Sequence, residues 1–114
     1  MSDEVKKTTT WQADESQPEI AGSIRERLRE VVDPELGLNI IELGLVREVE
    51  LDNEQANITM ILTTPFCPYG PALLEAARSK AQEAVDMPVN IEMGTQMWDF
   101  SFMEDGVGAD WGLF

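Results

Sequence analysis

Histidine is absent from this chain of 114 residues, cysteine occurs once, and Lys plus Arg number only 8 against 22 Asp plus Glu. Each shortage excludes something. Without histidine, the chain's own residues cannot supply Ser-His, Cys-His or imidazole–metal chemistry. With Cys67 alone there is no intrachain disulfide, no CxxC motif and no four-cysteine metal site within one chain. A net charge of −14 argues against nonspecific binding to nucleic acid or anionic lipid, which needs basic side chains to displace counterions. No stretch approaches the ~20 apolar residues of a membrane span. Residues 1–17 lack the apolar run of a signal peptide. A cytoplasmic location is expected, and an unpaired cysteine agrees with a reducing compartment.

What remains is enough for one domain, since domains are commonest at roughly 100–150 residues. Residues 1–17 are polar, carry three consecutive threonines and read as a flexible tail anchored only by Trp11. The domain proper is expected over residues 18–114. In residues 18–32, Ile20, Ile24, Leu28, Val31 and Val32 recur at helical spacing, with Pro18 suited to the first turn and Asp33-Pro34 as the stop. Residues 35–43 read as a loop.

Residues 45–51 alternate imperfectly. Leu45, Val49 and Leu51 share a face, while Val46 and Arg47 break the pattern. After a turn at Asp52, residues 56–63 place Ile58, Met60 and Leu62 together, completing a hairpin. Helical spacing returns over residues 71–85, and residues 89–94 turn Val89, Ile91 and Met93 inward as a third strand. The predicted fold is therefore α+β, in the order α-β-β-α-β with an aromatic C-terminal segment. Helices pack on a small mixed three-stranded sheet whose last two strands run parallel. An open sheet this small has an exposed edge, so a homodimer is expected.

Chemistry concentrates at two places. Cys67 lies in Thr63-Thr64-Pro65-Phe66-Cys67-Pro68-Tyr69-Gly70-Pro71, between a strand and a helix. If Pro68 opens the helix, Cys67 caps it and the helix dipole favours the thiolate; if Pro71 opens it, Gly70 is the cap. A buried inert cysteine and a reactive thiol both fit. Asp33-Pro34-Glu35 sets two carboxylates just after a helix, either as a simple stop or as a contact site. No glycine-rich phosphate loop occurs. From residue 81 onward there are seven acids and no Lys or Arg, which reads as a solvated face or as a docking surface for a basic partner.

Several separated motifs then align. They are Val32-Asp33-Pro34-Glu35-Leu36, Asn39-Ile40-Ile41-Glu42-Leu43-Gly44-Leu45-Val46, Leu62-Thr63-Thr64-Pro65-Phe66-Cys67-Pro68 and Trp98-Asp99-Phe100-Ser101-Phe102-Met103-Glu104-Asp105, with a closing Gly112-Leu113-Phe114. In this order the chain resembles the SufT/PaaD-like iron–sulfur cluster assembly domain family, which includes the small subunit of the eukaryotic cytosolic iron–sulfur targeting complex. It departs where the family's Met-Ser-Glu is Met103-Glu104-Asp105, and it lacks the additional C-terminal cysteines of PaaD-type chains. The resemblance implies a non-enzymatic accessory factor in cluster assembly or transfer to client apo-proteins. Cys67 would be its functional thiol, with Asp33, Glu35, Thr63 and Thr64 as motif residues near it. Assembly machinery and client apo-proteins are the implied partners. Clusters ordinarily take four thiolates, so one cysteine implies a labile cluster shared between chains or with a partner, with Cys67 a transient ligand. The other reading is an adaptor that recruits the scaffold or clients without carrying a cluster. A thiol enzyme is disfavoured, because nothing in the chain activates or resolves Cys67.

Overall fold

The computed structural model describes residues 10–34, 36–52, 54–63 and 69–103. Glu35, Thr64 and Cys67, together with the terminal Trp111 and Phe114, lie outside the described residues. Two helices come first, α1 (Gln12–Ser16) and α2 (Pro18–Leu28). Strands β1 (Val46–Leu51) and β2 (Ala56–Met60) follow, then α3 (Gly70–Ala84), β3 (Val89–Met93) and a 3-10 turn at Phe100–Phe102. The sheet order is β1-β2-β3, with β1 and β2 antiparallel and β2 and β3 parallel. This is the mixed α+β architecture expected.

The hairpin turn is built by Asp52, whose Oδ1 accepts the N–H groups of Glu54 and Gln55, both at 2.7 Å. In β1 the register slips between Val46 and Glu48, so Arg47 is the extra residue of a β-bulge. The bulge is why Val46 and Val49, three apart, are both buried. Core side chains from α2 (Ala21, Ile24, Leu28) and α3 (Leu73, Ala77, Ala81) join Val49, Ile58 and Met60 from the sheet.

Three expectations are revised. Trp11 is 2% exposed and Ala13 is fully buried, so the segment assigned to a flexible tail contributes a helix and a core aromatic before Pro18. Helix α2 ends at Leu28 rather than at 32, because the chain beyond it pairs with a later segment. Ile40 N–H donates to Val31 C=O, Asp33 N–H donates to Leu38 C=O, both at 2.9 Å, and Val32 bridges Asn39. Among its described residues, the segment read as a loop over 35–43 is one, and it contains an ordered turn. Met93, expected inward, is 51% exposed, because the strand ends at the sheet's margin.

Candidate functional site

Asp33 is the one buried charged residue among the described residues, at 1% exposure. Its backbone and side chain organise a tight turn. The Asp33 carbonyl accepts Gly37 N–H at 2.8 Å and Oδ1 accepts Leu36 N–H at 3.3 Å, while Gly37 takes a φ of +72°. The carboxylate thus accepts a backbone N–H, as buried polar groups require a partner.

The next motif is a single turn closed at both ends. Asn39 Oδ1 accepts the N–H groups of Ile41 (3.0 Å) and Glu42 (2.7 Å), and Glu42 Oε1 accepts Asn39 N–H at 3.0 Å, a reciprocal cap. At the other end Leu45 N–H reaches Ile40 C=O and Gly44 N–H reaches Ile41 C=O, the Schellman pattern with Gly44 at φ +73°. A Cβ on Gly44 would sit 2.0 Å from the Phe102 carbonyl oxygen, so only glycine lets the C-terminal segment approach here. That segment is pinned further by Trp98 Nε1, which donates to Leu43 C=O at 2.7 Å. The bulge residue Arg47 completes the join. It donates to Gly44 C=O at 3.0 Å and to Gln96 Oε1 at 3.2 Å, and lies 3.9 Å over the Phe102 ring. Burial pushes the Arg47 pKa down from its ordinary value.

Helix α3 begins at Gly70 with Tyr69 as N-cap and Pro71 in the first turn. Neither helix start read from the sequence is realised: Tyr69, not Cys67 or Gly70, is the capping residue. A Cβ on Gly70 would lie 2.9 Å from Leu62 Cδ1, a close approach that brackets the Cys67 segment between its two ends. Val32 and Pro34 of the acidic turn and Tyr69 line one groove of about 460 Å³ with Ala72 and Ala76 of α3. The turn bearing Asp33 and the exit of the Cys67 segment therefore meet across it. Thr63, at the entry of the same segment, is half-buried and lines a different pocket, beside Met93, Met97 and Trp98.

At one end of the Asp33 groove, Lys80 pairs with Glu30 at 2.8 Å and Arg27 bridges Glu30 and Glu83, both at 3.6 Å. The Lys80 hydrogen bond and charge lower the Glu30 pKa, and the reciprocal interaction raises that of Lys80. Among the described residues, no three potential metal-ligating side chains of His, Cys, Asp or Glu come together. Sequence reasoning missed the apolar borders of this region. Val32, Tyr69, Met93 and Met97 are the large apolar side chains exposed among the described residues, and they fall in two pairs, one in each pocket.

Comparison with known proteins places these features in context. A family model described as iron–sulfur cluster assembly protein matches residues 22–93. A Bacillus subtilis protein named Fe-S protein maturation auxiliary factor YitW is 42% identical over 57 residues, covering 49% of this chain and 56% of that protein. A Staphylococcus aureus protein named Fe-S protein maturation auxiliary factor SufT is 40% identical over 65 residues, covering 54% of this chain and 74% of the relative. The chain thus spans little more than half the length of the Bacillus subtilis relative. A crystal structure of a domain of unknown function, DUF59, from Bacillus anthracis matches with a TM-score of 0.76 at 27% identity, covering 88% of this chain and 98% of that one.

Proposed function

The chain belongs to the iron–sulfur cluster assembly protein family, and from that premise we propose that it is an accessory factor which helps assemble clusters or hand them to client apo-proteins, with Cys67 as its working thiol. The observation that supports the proposal is the groove that Val32 and Pro34, the neighbours of Asp33, line together with Tyr69, which follows the Cys67 segment in sequence. The names of the relatives, both maturation auxiliary factors, support it. In this proposal the protein is a cytoplasmic carrier rather than an enzyme. Asp33, Glu35, Thr63 and Thr64 are its motif residues near the thiol, and the assembly machinery and client apo-proteins are the partners.

The chemistry follows from counting ligands. The cluster is cargo. One chain offers one thiolate, and a homodimer offers two, against the four that a [2Fe–2S] cluster ordinarily takes. The remaining positions fall to small thiols, carboxylates or a client's cysteines. Such a shared cluster is labile, which suits transfer.

Anaerobic reconstitution with iron and sulfide, read by visible absorption and metal counting, tests the proposal. The expected result is at most one cluster per two chains, lost in Cys67→Ser and passed readily to an apo-protein with a complete cysteine set. A stable cluster on a monomer would overturn the ligand scheme. A Cys67→Ser protein that still supports client maturation would replace the carrier by a recruiting adaptor.

A further inference from the structure

The two edges of the sheet are not equivalent. On the β1 edge, Trp11 Nε1 donates to Val46 C=O at 3.1 Å and Gln12 Oε1 accepts Leu51 N–H at 3.3 Å, so the start of α1 occupies the place of a neighbouring strand. On β3, Ala56 N–H donates to Pro88 C=O at 2.9 Å and Gly94 N–H donates to Met60 C=O at 2.8 Å. Because bonding residues alternate along a parallel ladder, 88, 90, 92 and 94 face β2, while 89, 91 and 93 turn their backbone groups outward. Gln82 Oε1 accepts the outward Val89 N–H at 3.2 Å. Among the described residues nothing pairs with the outward groups of Ile91 and Met93.

This open edge runs into an apolar hollow. Met93 is 51% and Met97 81% exposed, and with Ile61, Leu62, Thr63 and Trp98 they line a pocket of about 470 Å³. Flexible, polarizable methionines suit a surface that accepts varied apolar side chains. The exposed charges on and flanking β3 are acidic, while Arg47 reaches the pocket's far side at Gln96. Glu92 on β3 and the flanking Asp86 and Asp99 are exposed, and no Lys or Arg occurs from residue 81 onward.

We propose that the outer edge of β3 and the methionine pocket at its end receive an extended segment of a partner protein in which apolar residues alternate with Lys or Arg. The alternation follows from the pleat. Ile91 and Met93 share one face of the sheet and Asn90 and Glu92 the other, so an added strand sets every second residue beside the methionine and the rest beside the carboxylate. Backbone bonds supply affinity, while pocket and charge supply selection. The assignment rests on the proposed function only in identifying the partner as a client or assembly component. Thr63, which lines the pocket, directly precedes the Cys67 segment in sequence.

The test uses the full chain and a labelled peptide of alternating leucine and lysine. Its control has the same charge but proline at every second leucine, which cannot complete a strand ladder. The alternating peptide is expected to bind at least about tenfold more tightly by fluorescence anisotropy. It should also slow amide exchange at Ile91 and Met93. Met93→Lys should abolish the difference, with Met97→Lys as the second variant should the first fail to fold. Cys67→Ser should leave it unchanged, so that loss of cluster transfer and loss of docking are read separately. Equal binding of the two peptides would show attraction by charge alone and overturn the proposal. So would unaltered exchange at Ile91 and Met93, or protection of those amides in the free protein that disappears on dilution, which would give the edge to a second copy.

Discussion

The indole N–H of Trp11 donates to the carbonyl of Val46 at 3.1 Å, across 35 positions of sequence, while the guanidinium of Arg25 lies 4.0 Å from the centroid of the indole ring. One side chain from a polar stretch thereby ties the first helix to both the sheet edge and α2. Trp11→Phe keeps most of the buried apolar volume but leaves the Val46 carbonyl without its donor, at an expected cost of about 1–3 kcal/mol. Trp11→Ala should cost about 3–5 kcal/mol. Urea unfolding followed by far-UV circular dichroism measures both, and a neutral Trp11→Ala would show that α1 is peripheral to stability.

Gly37 and Gly44 take nearly the same left-handed conformation, φ +72° and +73°, in opposite surroundings. An added Cβ meets nothing within 4 Å at Gly37 but lies 2.0 Å from the Phe102 carbonyl oxygen at Gly44. Gly37→Ala should therefore cost about 1 kcal/mol, the backbone penalty alone. Gly44→Ala should cost clearly more and loosen the C-terminal segment, visible as faster amide exchange at Phe102, whose N–H bonds Asp99 C=O. Equal costs would mean that the Phe102 contact yields without penalty.

Acid should weaken the attachment of α1. Burial pushes the Asp14 pKa up, but the paired hydrogen bonds and charge of Arg25, with the Trp11 N–H, outweigh it and leave the pKa below its ordinary 3.8. A depressed carboxyl contributes stability that is present in full above the unfolded value and lost as pH falls through the folded one. The gap in urea midpoint between the native protein and Asp14→Asn should be largest near neutrality and shrink below pH 3.8. A gap that does not change with pH would assign the role of Asp14 to shape rather than charge.

At Asp33 a structural and a functional role must be separated. Asp33→Ala removes the acceptor of Leu36 N–H from a buried turn and should destabilise by about 1–3 kcal/mol. Asp33→Asn retains an oxygen acceptor. If the carboxylate serves the Cys67 site, Asp33→Asn should keep most of the stability and still lose client maturation. Full maturation in that variant would return Asp33 to a purely architectural role.

Local signals carried the architecture further than they carried its boundaries. The break in alternation at Val46 and Arg47 was visible in the sequence, and it is the β-bulge that brings Arg47 onto Gly44 and Phe102. The end of α2 was not visible, because it is set by pairing of residues 31–33 with 38–40, a contact that no helical periodicity encodes. Trp11 stood out as a lone aromatic, yet its acceptor on Val46 is remote in sequence, so its burial had no local cue. Asp33 reads from sequence more readily as a helix stop than as a site residue, and no local signal shows that its turn faces Tyr69 across a groove. Met93 continues a period-2 pattern whose last step falls at the sheet's margin, where alternation no longer reports burial.

The sealing of β1 by Trp11 and Gln12 also sets a limit on growth. A sheet with two free edges can add strands from both sides and propagate into a fibre, whereas one with a single free edge accepts one addition and then stops. Any union through β3 is consequently a terminating event with one-to-one stoichiometry. Among the described residues only the β3 edge is left to pair, so the chain should not polymerise through its sheet even at high concentration.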